Sequence, residues 1–131
     1  MHVLLLDDDG DMLKIMQRML EHRGHSATVL PSPFGATNHV AGRGGTRRPD
    51  AVVVDLMMPG LGGDALLAMW ALDPAAREVP VILYSAADEE TLKAVAQKHP
   101  RCTPLQKVVG MRTLLDMLEN LDAQTGAGRA P

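Results

Sequence analysis

The residues equipped for chemistry stand at four places along the chain: Asp7-Asp8-Asp9, Asp55, Ser85 and Lys107. Carboxylates gathered together repel one another and raise each other's pKa unless a cation neutralises them. A hard divalent cation bound through oxygen meets that need, and Mg²⁺ commonly takes one or two carboxylates while keeping waters. An ion with open positions accepts phosphoryl oxygens, a lysine opposite it neutralises remaining charge, and a serine hydroxyl hydrogen-bonds another oxygen. A carboxylate left over is then a nucleophile for aspartyl-phosphate chemistry. All of this requires that segments up to a hundred residues apart meet in space.

The pattern around each residue says how they meet. Val3-Leu4-Leu5-Leu6 runs straight into Asp7, and Ala51-Val52-Val53-Val54 straight into Asp55. Val79 to Tyr84, with Pro80 tolerable at its start, precedes Ser85, and Cys102 to Gln106, interrupted by Pro104, precedes Lys107. Ala27 to Leu30 reads as a further, weaker strand ending at Pro31. Continuous rather than alternating apolarity marks strands covered on both faces, as in a parallel sheet. Between them, Met12, Ile15, Met16, Met19 and Leu20 follow helical spacing, with Gly24 as a stop. A short helix is expected around Phe34 to Ala41, and others over Asp64 to Leu72, Asp88 to Lys98 and Met111 to Leu121. Five strands alternating with about five helices give an α/β fold with a central parallel sheet. Ligands in such folds bind beyond the carboxyl ends of the strands, where Asp7, Asp8, Asp9, Asp55, Ser85 and Lys107 all fall.

Composition narrows the setting. The 131 residues suffice for one domain with a proper core, and 46% apolar with 22% charged residues is a globular balance. Aromatic residues are 2%, so Leu, Val, Ala and nine Met must fill the interior. A net charge of −3 gives no reason to expect nucleic-acid binding, which usually shows as a basic face. The apolar runs are too short to insert in a bilayer, and the N-terminus lacks the pattern of a signal peptide. The single cysteine, Cys102, fits a reducing, cytoplasmic setting.

Three stretches carry a family resemblance: Leu4-Leu5-Leu6-Asp7-Asp8-Asp9, Asp55-Leu56-Met57-Met58-Pro59-Gly60 and Ile82-Leu83-Tyr84-Ser85-Ala86. In this order and spacing they resemble the receiver domains of response regulators in two-component signalling, from about Met1 to Leu121. The resemblance implies a flavodoxin-like, doubly wound five-stranded parallel sheet in strand order 2-1-3-4-5 with helices on both faces. It implies that Asp55 is the phosphoacceptor. It makes Asp8 a direct Mg²⁺ ligand, Asp7 a water-mediated one, and Asp55 and the Met57 backbone carbonyl further ones. Ser85 matches the switch hydroxyl and Lys107 the phosphoryl-pairing lysine, while Gly63 falls where many receivers have glycine before the third helix. The partners implied are a sensor histidine kinase or phosphotransfer protein, and a downstream protein on the face of the fourth helix, fifth strand and fifth helix. The domain itself is then not an enzyme and touches no nucleic acid. Two positions depart from the family: Pro104 stands where an aromatic switch residue is usual, and Val108 where a proline follows the lysine.

Simpler readings apply to other residues. Asp9 or Asp11 suits an N-cap of the first helix, and the Met-rich first helix suits core packing. The histidines show no ligand spacing and read as surface or structural. Arg43, Arg47 and Arg48 read as a solvated basic loop, and Trp70 as a half-buried helix residue. Two alternative functions are open. Asp7-Asp8-Asp9-Gly10 also resembles the opening of haloacid-dehalogenase-type phosphohydrolases, with Asp7 as nucleophile, although that reading leaves Asp55 idle. A degenerate receiver would act as an interaction module without phosphorylation. The expected division is a receiver domain over residues 1–122 and a mobile tail or start of a linker over 123–131, in a stand-alone protein or part of a longer regulator.

Overall fold

The computed structural model describes residues 1–127, with side chains described through Ala123. Strands β1 (His2–Leu6), β2 (Ser26–Leu30), β3 (Ala51–Val54), β4 (Val81–Ser85) and β5 (Cys102–Gln106) alternate with helices α1 (Gly10–His22), α2 (Ala36–Ala41), α3 (Gly63–Leu72), α4 (Glu89–Ala96) and α5 (Met111–Ala127). Short 3₁₀ turns occupy Ala76–Glu78 and Lys107–Val109. The sheet is parallel throughout, in the order β2-β1-β3-β4-β5. This is the doubly wound arrangement expected from the sequence.

Alternation along each strand divides the core in two. Val3 and Leu5 of β1 face Leu13, Met16 and Leu20 of α1 and Leu114, Leu115 and Leu118 of α5. Leu4 and Leu6 face the other way, toward Ala36 and Val40 of α2, Leu66, Leu67 and Trp70 of α3, and Leu92 of α4. Because both faces are covered, β1 and β3 show no polar alternation, as their sequences required.

Helix ends follow local chemistry. Asp9 caps α1, its carboxylate accepting from the Met12 amide, and Asp88 caps α4 by accepting from Thr91. The capped α1 begins at Gly10, two residues before its apolar stripe. β4 begins at Val81, after Pro80, and α5 continues past its expected end at Leu121 to Ala127. Of the expected tail, residues 128–131 lie outside the described residues.

Two expectations need correction. β5 is unbroken: Pro104 pairs with Leu83 on the edge of the sheet, the one kind of strand position where a missing N–H is tolerated. Trp70 is fully buried rather than half-buried, with its indole N–H donating to Thr37 Oγ1 at 3.1 Å, because α2 lies over this end of α3. The arginine loop is exposed, as expected, and two of its side chains also tie it to the turn after α3. Arg43 makes a paired contact with Asp73 at 2.6 and 2.9 Å, and Arg48 Nη2 donates to the Ala75 carbonyl.

Polar contacts gather at the amino ends of the strands. The His2 ring lies 2.7 Å from Ser26 Oγ and 3.0 Å from Thr28 Oγ1, and its amide donates to Asp50. Arg101 Nη1 donates to the Glu78 carbonyl. His99 is buried, and its Nδ1 accepts from the Arg101 amide at 3.0 Å. That bond places the ring proton on Nε2, which makes no hydrogen bond among the described residues.

Candidate functional site: an acidic pocket at the carboxyl edge of the sheet

Sheet hydrogen bonding continues one residue beyond the strands that carry the acids. The Asp7 amide donates to Leu30 O and the Asp55 amide to Leu6 O, so both carboxylates leave from fixed backbone. Each is then held by its own loop. Asp7 Oδ1 accepts from the Asp9 amide at 3.0 Å, and Asp55 Oδ1 from the Met57 amide at 3.1 Å. Their remaining oxygens converge on one ammonium: Lys107 Nζ lies 2.9 Å from Asp7 Oδ2 and 2.8 Å from Asp55 Oδ2.

Gly63 closes the floor. Its amide donates to Leu56 O at 2.9 Å, drawing the start of α3 against the loop that follows Asp55. A Cβ at this position would stand 2.5 Å from the Asp55 carbonyl oxygen and 2.9 Å from Leu56 Cα. Only glycine fits without displacing backbone, which gives the glycine before the third helix its physical reason.

Asp7 and Asp55 are buried, whereas Asp8 is exposed at the rim. One carboxylate oxygen from each of the three lies within 4.8 Å of the others. Burial raises the Asp7 carboxyl above the ordinary carboxylate range, the Asp55 charge adds to this, and the bonds to Lys107 and Asp9 oppose it. Burial works against the Lys107 ammonium, but its bonds to Asp55 and Asp7 outweigh it and hold the pKa above the usual lysine value. Three carboxylates facing one ammonium are short of positive charge, and oxygen donors so placed suit a hard divalent cation.

Ser85 and Asp8 stand outside the hydrogen-bonded core of the pocket. Ser85 is fully buried at the end of β4, its Oγ accepting from the Ala87 amide at 3.4 Å. Met57 turns its side chain to solvent, leaving its amide as the group engaged with Asp55. Val108 is 86% exposed beside Lys107. Asp9, the second acid that the hydrolase reading needs, is spent on capping α1, so no nucleophile and acid pair of that kind forms here.

Two residues of this region were not singled out from the sequence. Tyr84, buried behind the site, donates its hydroxyl to the Lys107 carbonyl at 3.5 Å. Gln106 donates from Nε2 to the Ala87 carbonyl at 3.3 Å. The only available signal was position: Gln106 immediately precedes the lysine, and Tyr84 the serine.

A parallel sheet in this order, with an acid cluster, a lysine and a buried serine at its carboxyl edge, defines a signalling receiver module. The family model described as the response regulator receiver domain matches residues 3–119, and the chain belongs to that family. Protein PilH of Pseudomonas aeruginosa is 31% identical over 113 residues, covering 86% of this chain and 90% of that protein. Two-component response regulator ORR21 of Oryza sativa is 30% identical over 121 residues, which are 92% of this chain but only 17% of that protein. Among solved structures, the Francisella response regulator 1452 receiver domain matches with a TM-score of 0.82 at 26% identity, covering 95% of this chain and 98% of that one.

Proposed function

We propose that Asp55 accepts a phosphoryl group from a phosphohistidine on a sensor kinase or phosphotransfer protein. A carboxylate oxygen of Asp55 attacks phosphorus, the O–P bond forms, and the N–P bond breaks with its electron pair passing to the leaving imidazole. The observation that carries this reading is the shared lysine: Lys107 bridges Asp7 and Asp55 while Asp8 stands at the rim with an oxygen within reach of both. Asp8, Asp55, the Met57 carbonyl and, through water, Asp7 are the groups we assign to Mg²⁺. When bound, the ion supplies positive charge to the phosphoryl oxygens. Lys107 neutralises a further phosphoryl oxygen, and the Ser85 hydroxyl turns from Ala87 to hydrogen-bond another.

In this reading the chain is a phosphoryl acceptor and switch, without turnover of a small substrate. The domain spans residues 1–122 and works in the cytoplasm, with a downstream protein binding over α4, β5 and α5. Among the described residues, no helix is long and apolar enough to cross a membrane. The test is incubation with acetyl phosphate, with and without Mg²⁺, followed by intact mass. Gain of one phosphoryl group should require both the metal and Asp55, and be absent in Asp55→Asn. A gain that persists in Asp55→Asn would remove the assignment.

A further inference from the structure

At the Pro104 position of β5 there is no side chain that can change rotamer across the gap to α4, so the usual route from an occupied site to that face is closed. Another connection lies two residues further along the same strand. Residues two apart on a strand share a face, and Gln106 therefore stands on the side that Pro104 occupies. It is directly opposite Ser85 in the sheet register and adjacent to Lys107 in the chain. Its Nε2 donates to the Ala87 carbonyl at 3.3 Å, while the Ala87 amide donates to Ser85 Oγ at 3.4 Å. One peptide neighbourhood thus joins the buried hydroxyl to the glutamine. Gln106 also lines a cavity of about 200 Å³ between α4 and β5, together with Leu92, Pro104, Leu105 and Val109. It is in contact with the site loop on one side and with this groove on the other.

We propose that Gln106 is the positioning residue that passes occupancy of the phosphoryl site to the α4–β5 groove. Its amide holds the Ala87 carbonyl while the site is empty of a phosphoryl group. Turning Ser85 Oγ toward a phosphoryl group on Asp55 withdraws the acceptor from the Ala87 amide, and the β4–α4 loop shifts. The bond from Gln106 is long and uncharged, of the kind that gives way to a modest displacement. Released, the glutamine side chain swings into the groove, whose volume exceeds that of an amide group. Tyr84 does not serve this role, because it packs on the opposite face of the sheet, against the α1 and α5 side of the core, and is tied to Lys107 O.

The inference rests on Asp55 being the phosphoacceptor, and the experiment separates the two. Wild-type protein and the variants Gln106→Leu and Gln106→Glu are treated with acetyl phosphate and Mg²⁺. Intact mass reports phosphorylation, and backbone amide NMR reports the response of the groove. In wild type, the amides of Leu92, Leu105 and Val109 and the side-chain NH₂ of Gln106 shift as the phosphoryl group is gained. Both variants should take up the phosphoryl group to within about twofold of wild type, yet lose at least about half of the groove shifts. Gln106→Glu keeps length and polarity while removing the donor, so a folding defect peculiar to leucine does not decide the result. Groove shifts of wild-type size in a phosphorylated variant overturn the proposal. Failure of wild type to gain a phosphoryl group overturns the Asp55 reading and this one with it, and intact mass identifies that outcome separately.

Discussion

The two ends of the parallel sheet use similar residues to opposite ends. At the amino ends of the strands, charged and polar groups meet in matched sets, the buried His99 Nε2 apart. Arg43 closes on Asp73, Arg101 on a backbone carbonyl, and His2 on two hydroxyls. At the carboxyl ends, two carboxylates share one lysine, with a third at the rim. Matched pairs hold the chain together at the amino ends, around a cavity of about 220 Å³ lined by Arg48, Asp50, Glu78 and Arg101. A deliberate shortage of positive charge on a rigid frame costs stability but creates demand for a cation and capacity for a phosphoryl group. The mismatch of charge, more than the presence of charge, separates the functional end from the structural one.

The largest effect should come from the carboxyl end. Asp55→Asn removes phosphoryl uptake entirely, yet leaves the metal-free protein as stable as wild type or more stable by on the order of 1 kcal/mol, since one crowded charge is gone. Intact mass and urea unfolding in chelator check both halves. Next in size, Lys107→Met strands two buried carboxylates without their shared partner. Breaking such a pair costs about 3–5 kcal/mol when fully buried, and about 2–3 kcal/mol is expected for a lysine side chain 18% exposed. Millimolar Mg²⁺ should recover part of that loss. Recovery nowhere in a Mg²⁺ titration would break the contrast between mismatched and matched ends.

Acid should divide the ends by sign. Burial depresses the His99 pKa, with the Arg101 and Arg77 charges adding, and burial likewise depresses that of His2, with Arg47 adding. For both, stability is full above the unfolded value of 6.5 and falls as pH drops through it toward the lower folded value. Asp7 is raised, so its contribution is full below the unfolded value of 3.8 and lost as pH rises through the higher folded value. In chelator, His99→Gln should flatten the loss of stability just below neutrality, and Asp7→Asn the change at lower pH. Both are read from unfolding midpoints across a pH series. The smallest effect belongs to Arg43→Ala, which should lower the melting temperature slightly and leave phosphoryl uptake unchanged. A drop in uptake there would show the ends to be coupled.

Most of the frame was legible because it depends on local pattern. Apolar runs that stop at Asp7 and Asp55 declare both the strand and the end that matters, and the register then brings Lys107 to them. What sequence could not supply was pairing between distant segments. Arg43 is exposed as its loop suggests, but its partner Asp73, thirty residues away, is visible only in the fold. Trp70 looks half-buried because nothing local announces that α2 will cover it. Pro104 reads as an interruption only while β5 is imagined inside the sheet, and at the edge it costs no ladder bond. Gln106 was overlooked for a related reason: its significance lies in which carbonyl its amide reaches, a property of the fold alone.

The burial of Trp70 has an optical consequence. It is the chain's single tryptophan, sealed from water and bonded to Thr37, seven residues along α3 from the glycine at the pocket floor, or about 10 Å of helix rise. Its fluorescence should be blue-shifted in the native protein and move red on unfolding, with little response to quenchers added to the solvent. Events at Asp55 should leave that emission nearly unchanged. The protein therefore carries its own dye for folding, and unfolding curves of site variants can be compared in one colour whether or not the pocket is filled.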